Sequence, residues 1–147
     1  MYMEKDRIKG KLQYALRGKT KEFSHFMGFA DRKFYLPTLA EFKRYIRVYQ
    51  ITVSPHNPVS GTEGFDCDDF SFVCKGYVSI YNRKLAMKKH SWAVGIIWGN
   101  FTWVDEFHAT NWVLTKHDGL FLFEPQMGEQ GLMRFRECKG NVELVLL

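Results

Sequence analysis

The order of apolar periodicities along this 147-residue chain predicts an α+β fold, with helices first and an antiparallel sheet after them. Two observations carry that expectation. Apolar residues recur at three- and four-residue intervals as far as Tyr81, and from Trp92 onward short β-branched or aromatic runs alternate with Gly, Asn and Asp. With 46% hydrophobic and 16% aromatic residues the chain can fill a core, and its length suits one domain spanning 1–147.

The elements follow in order. Residues 5–16 predict a short helix with Ile8, Leu12, Ala15 and Leu16 on one face, whereas 20–36 are aromatic-rich without clean periodicity. A longer helix starts at Thr38: Pro37 precedes it, Glu41 completes a capping box, and Leu39, Phe42, Ile46 and Tyr49 follow at helical spacing. This closes a helical N-terminal part, 1–53. Ser54 to Gly64 holds Pro55, Asn57, Pro58 and two glycines, which makes it loop. The next helix begins beside Cys67, with Phe70, Val73, Cys74, Tyr77 and Tyr81 on one stripe. Asp66, Asp68 and Asp69 sit around its first turn, where negative charge opposes the positive end of the helix dipole. Trp92 to Trp98 predicts a strand closed by a turn at Gly99-Asn100. His108–Thr115 and Leu120–Glu124 predict two more, joined around Asp118-Gly119, and Val142–Leu147, within 131–147, a last one.

The net charge of +5 is unevenly spread: residues 51–70 carry four acids and no base, between basic blocks on either side. The clusters Lys5/Arg7/Lys9/Lys11 and Lys84/Lys88/Lys89 read as solvated faces, since no recognition motif accompanies them; nucleic acid is not the expected partner. No apolar run reaches the length of a membrane span, and the charged Met1–Gly10 segment does not read as a signal peptide. Three cysteines without CxxC spacing argue against a disulfide framework and a zinc ribbon. A reducing, cytoplasmic setting is expected.

Cys74 lies on the buried stripe and Cys138 in a charged segment, and His25, His56, His90 and His117 stand in polar contexts. Cys67 differs, because it follows a Gly-rich loop and opens a helix, where unpaired backbone N–H groups favour thiolate. His108 starts a strand that also carries Asn111 and Trp112, and the next strand ends Phe123-Glu124-Pro125-Gln126. A thiol needs a base, and the base needs a group to hold its tautomer. Cysteine on a helix start, then histidine, then a carboxylate on the neighbouring strand is the papain-like and transglutaminase-like order. Direct opposition of His108 and Glu124 centres the hairpin on Lys116, whereas Asp118-Gly119 centres it two or three residues later. An odd slip would turn Glu124 away from His108.

The runs Asp66-Cys67-Asp68-Asp69-Phe70, His108-Ala109-Thr110-Asn111-Trp112 and Glu124-Pro125-Gln126 together resemble the papain-like C-terminal domain of the Marasmius mushroom agglutinin family. The resemblance covers residues 54–130, without the family's sugar-binding β-trefoil domain. It implies a papain-like fold and a calcium-dependent cysteine protease, a thiol protease and hydrolase acting on a peptide or protein substrate. Cys67 would be the nucleophile, His108 the base and Glu124 the orienting acid. Asp68 and Asp69, with Asp66 and Glu63 as further candidates, would bind calcium or another divalent cation. Such an ion would offset the penalty that three aspartates place on a neighbouring thiolate. Asn111, Trp112 and Gln126 are candidates for orienting the triad or the substrate. One departure stands out. No glutamine shortly precedes the cysteine, where Ser60, Gly61 and Thr62 stand, so a backbone amide, Thr62 or Gln50 would have to supply the oxyanion contact. The alternatives are a transglutaminase-like acyltransferase, a cell-wall amidase, or a catalytically inactive interaction module with a basic contact surface.

Overall fold

The computed structural model describes residues 1–17, 27–28, 31–57, 65–85, 90–104 and 106–146. In chain order the elements are β1 (Tyr2–Glu4), α1 (Lys5–Ala15), β2 (Met27–Gly28), β3 (Lys33–Tyr35), α2 (Leu39–Thr52), α3 (Cys67–Lys84), β4 (Val94–Phe101), β5 (Glu106–Leu114), β6 (Leu120–Phe123), β7 (Leu132–Arg134) and β8 (Gly140–Leu146). Short 3-10 turns occupy Ser54–His56, Pro125–Gly131 and Phe135–Glu137. The fold is α+β, as the periodicities predict. The main sheet runs β2-β8-β4-β5-β6-β7 and is antiparallel apart from the two-residue pairing of β2 with β8; β1 and β3 form a separate small sheet.

Alternation along β5 and β6 sorts the core into two layers. Trp112, Leu114 and Leu122 join Ile8, Leu12 and Leu16 of the α1 region in one cluster. Val113, Phe121 and Phe123 join Phe42, Tyr45 and Tyr49 of α2 and Cys74 and Val78 of α3 in the other. A sheet covered on both faces explains why its central strands read as nearly unbroken apolar runs. The α2 start is the expected capping box: Glu41 N–H donates to the Thr38 hydroxyl and Thr38 N–H donates to the Glu41 carboxylate at 2.8 Å. Along α3 the buried stripe is Phe70, Ser71, Cys74, Val78, Tyr81 and Asn82, so Val73 and Tyr77 lie at its margin. The Tyr45 hydroxyl donates to the Cys74 carbonyl at 2.8 Å and ties α2 to α3.

One expectation is corrected. Gly99-Asn100 is not a turn, because β4 continues through both to Phe101. Gly99 is there for proximity: a Cβ at this position would stand 2.1 Å from the Asn141 carbonyl oxygen of β8, beside a register shift at Trp98/Gly99. Among the described residues no helix is long and apolar enough to cross a membrane.

Candidate functional site

Cys67 is the first residue of α3, and the turn beneath it is fixed by its neighbours. Asp66 accepts from Asp68 N–H at 3.3 Å, and Asp66 N–H donates to Asp69 at 3.1 Å, a reciprocal cap on the helix start. The Cys67 sulfur accepts from the backbone N–H of Ala109 at 3.4 Å. That donor is available because β6 pairs with β5 only from Asn111 to Leu114, which leaves the edge of β5 open beyond. Burial pushes the Cys67 thiol above its ordinary pKa; the Ala109 N–H opposes this, while Asp66, Asp68 and Glu124 add to it.

His108 stands next to Ala109 on β5 and is buried. Its Nε2 lies 2.7 Å from Glu124 Oε2, and the edge of its ring meets Trp103 with centroids 5.2 Å apart. A carboxylate can only accept, so Nε2 carries the proton and, in the neutral ring, the free lone pair sits on Nδ1. Glu124 follows directly on β6 and is held three ways: its N–H donates to the Gly131 carbonyl, its other carboxylate oxygen accepts from Gln126 N–H, and its carbonyl accepts from Met127 N–H. The register settles the parity question. Asn111 pairs with Phe123 and Leu114 with Leu120. Continued, this pairing sets Glu124 opposite Thr110, an even step from His108, so the two side chains share a face.

The remaining candidates divide. Asn111 is fully buried, its amide donating to the carbonyls of Ser71 and Gly95, so it ties α3 to the sheet. Trp112 is fully buried with its indole N–H on the Leu146 carbonyl. Gln126 is exposed and, with Trp103, Val104, His108, Glu124 and Met133, lines a cavity of about 310 Å³. Gln50 directs its amide N–H to the Pro125 carbonyl at 2.8 Å, holding the turn that follows Glu124. The carboxylates of Asp66, Asp68 and Asp69 each bring one oxygen within 4.8 Å of the others. Glu63, Ser60, Gly61 and Thr62 lie outside the described residues. Trp103 and the positioning contact of Gln50 carry no motif; Gln50 meets Pro125 from a distant part of the chain, and Trp103 reaches His108 across the β4–β5 connection.

The model of the agglutinin C-terminal family matches residues 38–130, more than half of the chain. The chain belongs to this family. Comparison with curated proteins gave no match. Among solved structures, the Polyporus squamosus lectin bound to the epitope Neu5Aca2-6Galb1-4GlcNAc is similar with a TM-score of 0.74 at 20% identity, over 99% of this chain and 49% of that one. PSL1a in complex with E64 is similar with a TM-score of 0.74 at 22% identity, over 99% and 51%. The agglutinin-family chain therefore spans about half the length of these neighbours, and at such identity the likeness concerns the fold. The labels cysteine protease, thiol protease and hydrolase are corrected by these findings. The family that matches is one of agglutinins, and the first of these neighbours is a lectin bound to a glycan rather than to a peptide.

Proposed function

We propose that this domain is a thiol-based acyl-transfer module acting on glycan-bearing partners. The observation that carries the chemistry is the 2.7 Å contact between His108 and Glu124, with the Cys67 sulfur held against the N–H of the adjacent residue. The sulfur attacks an acyl carbon and forms a C–S bond. The thiol proton passes to His108 Nδ1 and then to the leaving amine as its C–N bond breaks. An incoming amine next attacks the thioester, gives its proton to His108, and Cys67 departs to be reprotonated. Glu124 stabilises the imidazolium formed at each transfer. Because burial and nearby acids hold the thiol protonated at rest, proton removal during attack is the step that needs His108. The glycan part of the proposal rests on the lectin neighbour, and the acyl donor would be a glycoconjugate.

Calcium belongs to the same proposal. Asp68 and Asp69, with Asp66, offer hard oxygen donors close enough to share one ion, which fits calcium better than zinc. Hydrogen bonding to Asp66 and the negative charges beside it push the Asp68 carboxyl up, a like-charge strain that a cation relieves. When bound, the ion supplies positive charge beside Cys67 and so favours thiolate.

The test is acyl trapping. An activated ester of a glycosylated amino acid is incubated with the protein and calcium, and the intact mass and peptide map are followed. The expected result is one acyl adduct on Cys67 that disappears when an amine is added, absent in Cys67→Ala and strongly slowed in His108→Gln. No adduct, with or without calcium, sinks acyl transfer. It would leave the binding-only module, which the raised Cys67 thiol favours.

A further inference from the structure

We propose a second ligand site, for an acidic saccharide, at the end of the sheet away from Cys67. Two adjoining hollows of about 550 Å³ each share the walls Tyr14, Ala15, Gly119 and Leu120. His108 and Leu114 lie six residues, about 20 Å, apart along β5, so this groove is separate from the thiol.

Its lining is cationic. Among the described residues Arg17, Arg134 and Arg136 surround one hollow and Arg7 and Lys11 the other, against the single carboxylate of Asp118. Among the described residues only Arg136 of these five has a carboxylate partner, Glu137 at 3.7 Å, where both side chains are exposed. Two of the guanidinium groups are held in place. Arg134 lies 5.2 Å over the Phe121 ring and donates to the Asp118 carbonyl, and Arg17 lies 5.4 Å over the Tyr14 ring. Preorganised guanidinium forks suit the paired oxygens of a carboxylate or sulfate. Tyr14 is 73% exposed and offers a flat apolar face beside them. Oxyanion and flat carbon face together describe a sulfated or uronic sugar. Single-stranded nucleic acid fits less well, because it is gripped by several successive rings along a continuous basic track. Among the described residues Tyr14 is the one exposed ring lining these hollows, whose volume suits a short ligand.

Titration calorimetry of the full chain tests this with four probes: a heparin-type hexasaccharide, the neutral maltohexaose, a DNA hexamer and inorganic sulfate. The sulfated saccharide should bind and maltohexaose should not. The Arg17→Gln/Arg136→Gln pair should weaken binding by about tenfold and Tyr14→Ser by about fivefold. All three side chains are exposed or half-buried, so melting temperatures should hold, which separates lost contact from lost fold. Cys67→Ala should bind as the parent does. Saccharide binding that is absent, or unchanged in the variants, overturns the site. Equal affinity for the DNA hexamer or for free sulfate overturns the assignment to a saccharide.

Discussion

Cys67 opens α3 where two influences oppose each other. The helix N-terminus and the Ala109 N–H favour thiolate, while burial and the charges of Asp66, Asp68 and Glu124 disfavour it and win. Asp68 is the informative residue to change, because Asp66 and Asp69 make the helix cap and its side chain does not. Asp68→Asn removes one negative charge and should lower the Cys67 pKa. Without divalent ions, iodoacetamide should then label Cys67 about two- to threefold faster at pH 8, with both variants converging at high pH where each thiol is ionised. Equal rates at pH 8 would show that the charge does not reach the sulfur. Glu124→Gln probes the other half of the site. The amide keeps the shape but loses the charge that stabilises an imidazolium, and Glu124 is buried with His108 and Gln126 as partners. Acylation of Cys67 should fall by at least tenfold, and chemical denaturation should show about 1–3 kcal/mol of lost stability. Unchanged acylation would remove Glu124 from the proposal. The three residues could be picked from the chain because a helix start, a strand start and a strand end each leave a mark in local spacing. Asn111 and Trp112 stood in the same motif, yet strand alternation and two covered faces bury both, a distinction that local spacing does not carry.

The turn from Pro125 to Gly131 decides where the Glu124 carboxylate lies. Gln50 and Arg47, both on α2, grip this turn through the Pro125 carbonyl at 2.8 Å and through Glu129 at 2.6 Å. On the inside, Gly131 closes against Glu124 itself. A Cβ there would stand 2.6 Å from the Glu124 carbonyl oxygen and 2.9 Å from its Cβ, so backbone rather than a flexible side-chain tip must move. Gly131→Ala should therefore push Glu124 off His108. The expected outcome is loss of Cys67 acylation together with about 1–3 kcal/mol of stability, the range of an overpacked site. Full acylation in a folded variant would mean that the turn tolerates the shift and does not set the dyad. The hairpin itself was readable up to its parity, because the Asp118-Gly119 turn and the apolar alternation limit the slip. Gly99-Asn100 misled for the opposite reason. The pair has the composition of a turn, but its glycine answers to β8, some forty residues later in the chain, whose carbonyl leaves no space for a side chain.

The sheet, covered on both faces, separates two regions of unlike charge: an acidic cluster at the start of α3 and a basic groove beside α1 and the β5–β6 turn. The acidic window was visible as a local reversal in a basic chain, whereas the groove was not, since its cations come from α1 with the turn after it and from β7 with the turn after that. If the acidic cluster takes calcium as proposed, ligand binding must appear as stability of the entire fold, because an ion that binds only the folded cluster is linked to unfolding. At a hundredfold excess over Kd that linkage is worth about 2.7 kcal/mol, or about 5–11 °C in Tm for a chain of this size. Scanning calorimetry with calcium and with chelator should show that rise, and Asp68→Asn, which leaves the helix cap intact, should abolish it even though removing a like charge relieves repulsion in the ion-free state. The two effects have opposite signs, which makes the comparison decisive. A variant more stable than the parent in chelator yet indifferent to calcium is the expected pattern. A parent whose Tm ignores calcium while its Cys67 labelling also stays unchanged would leave these aspartates as a helix cap alone.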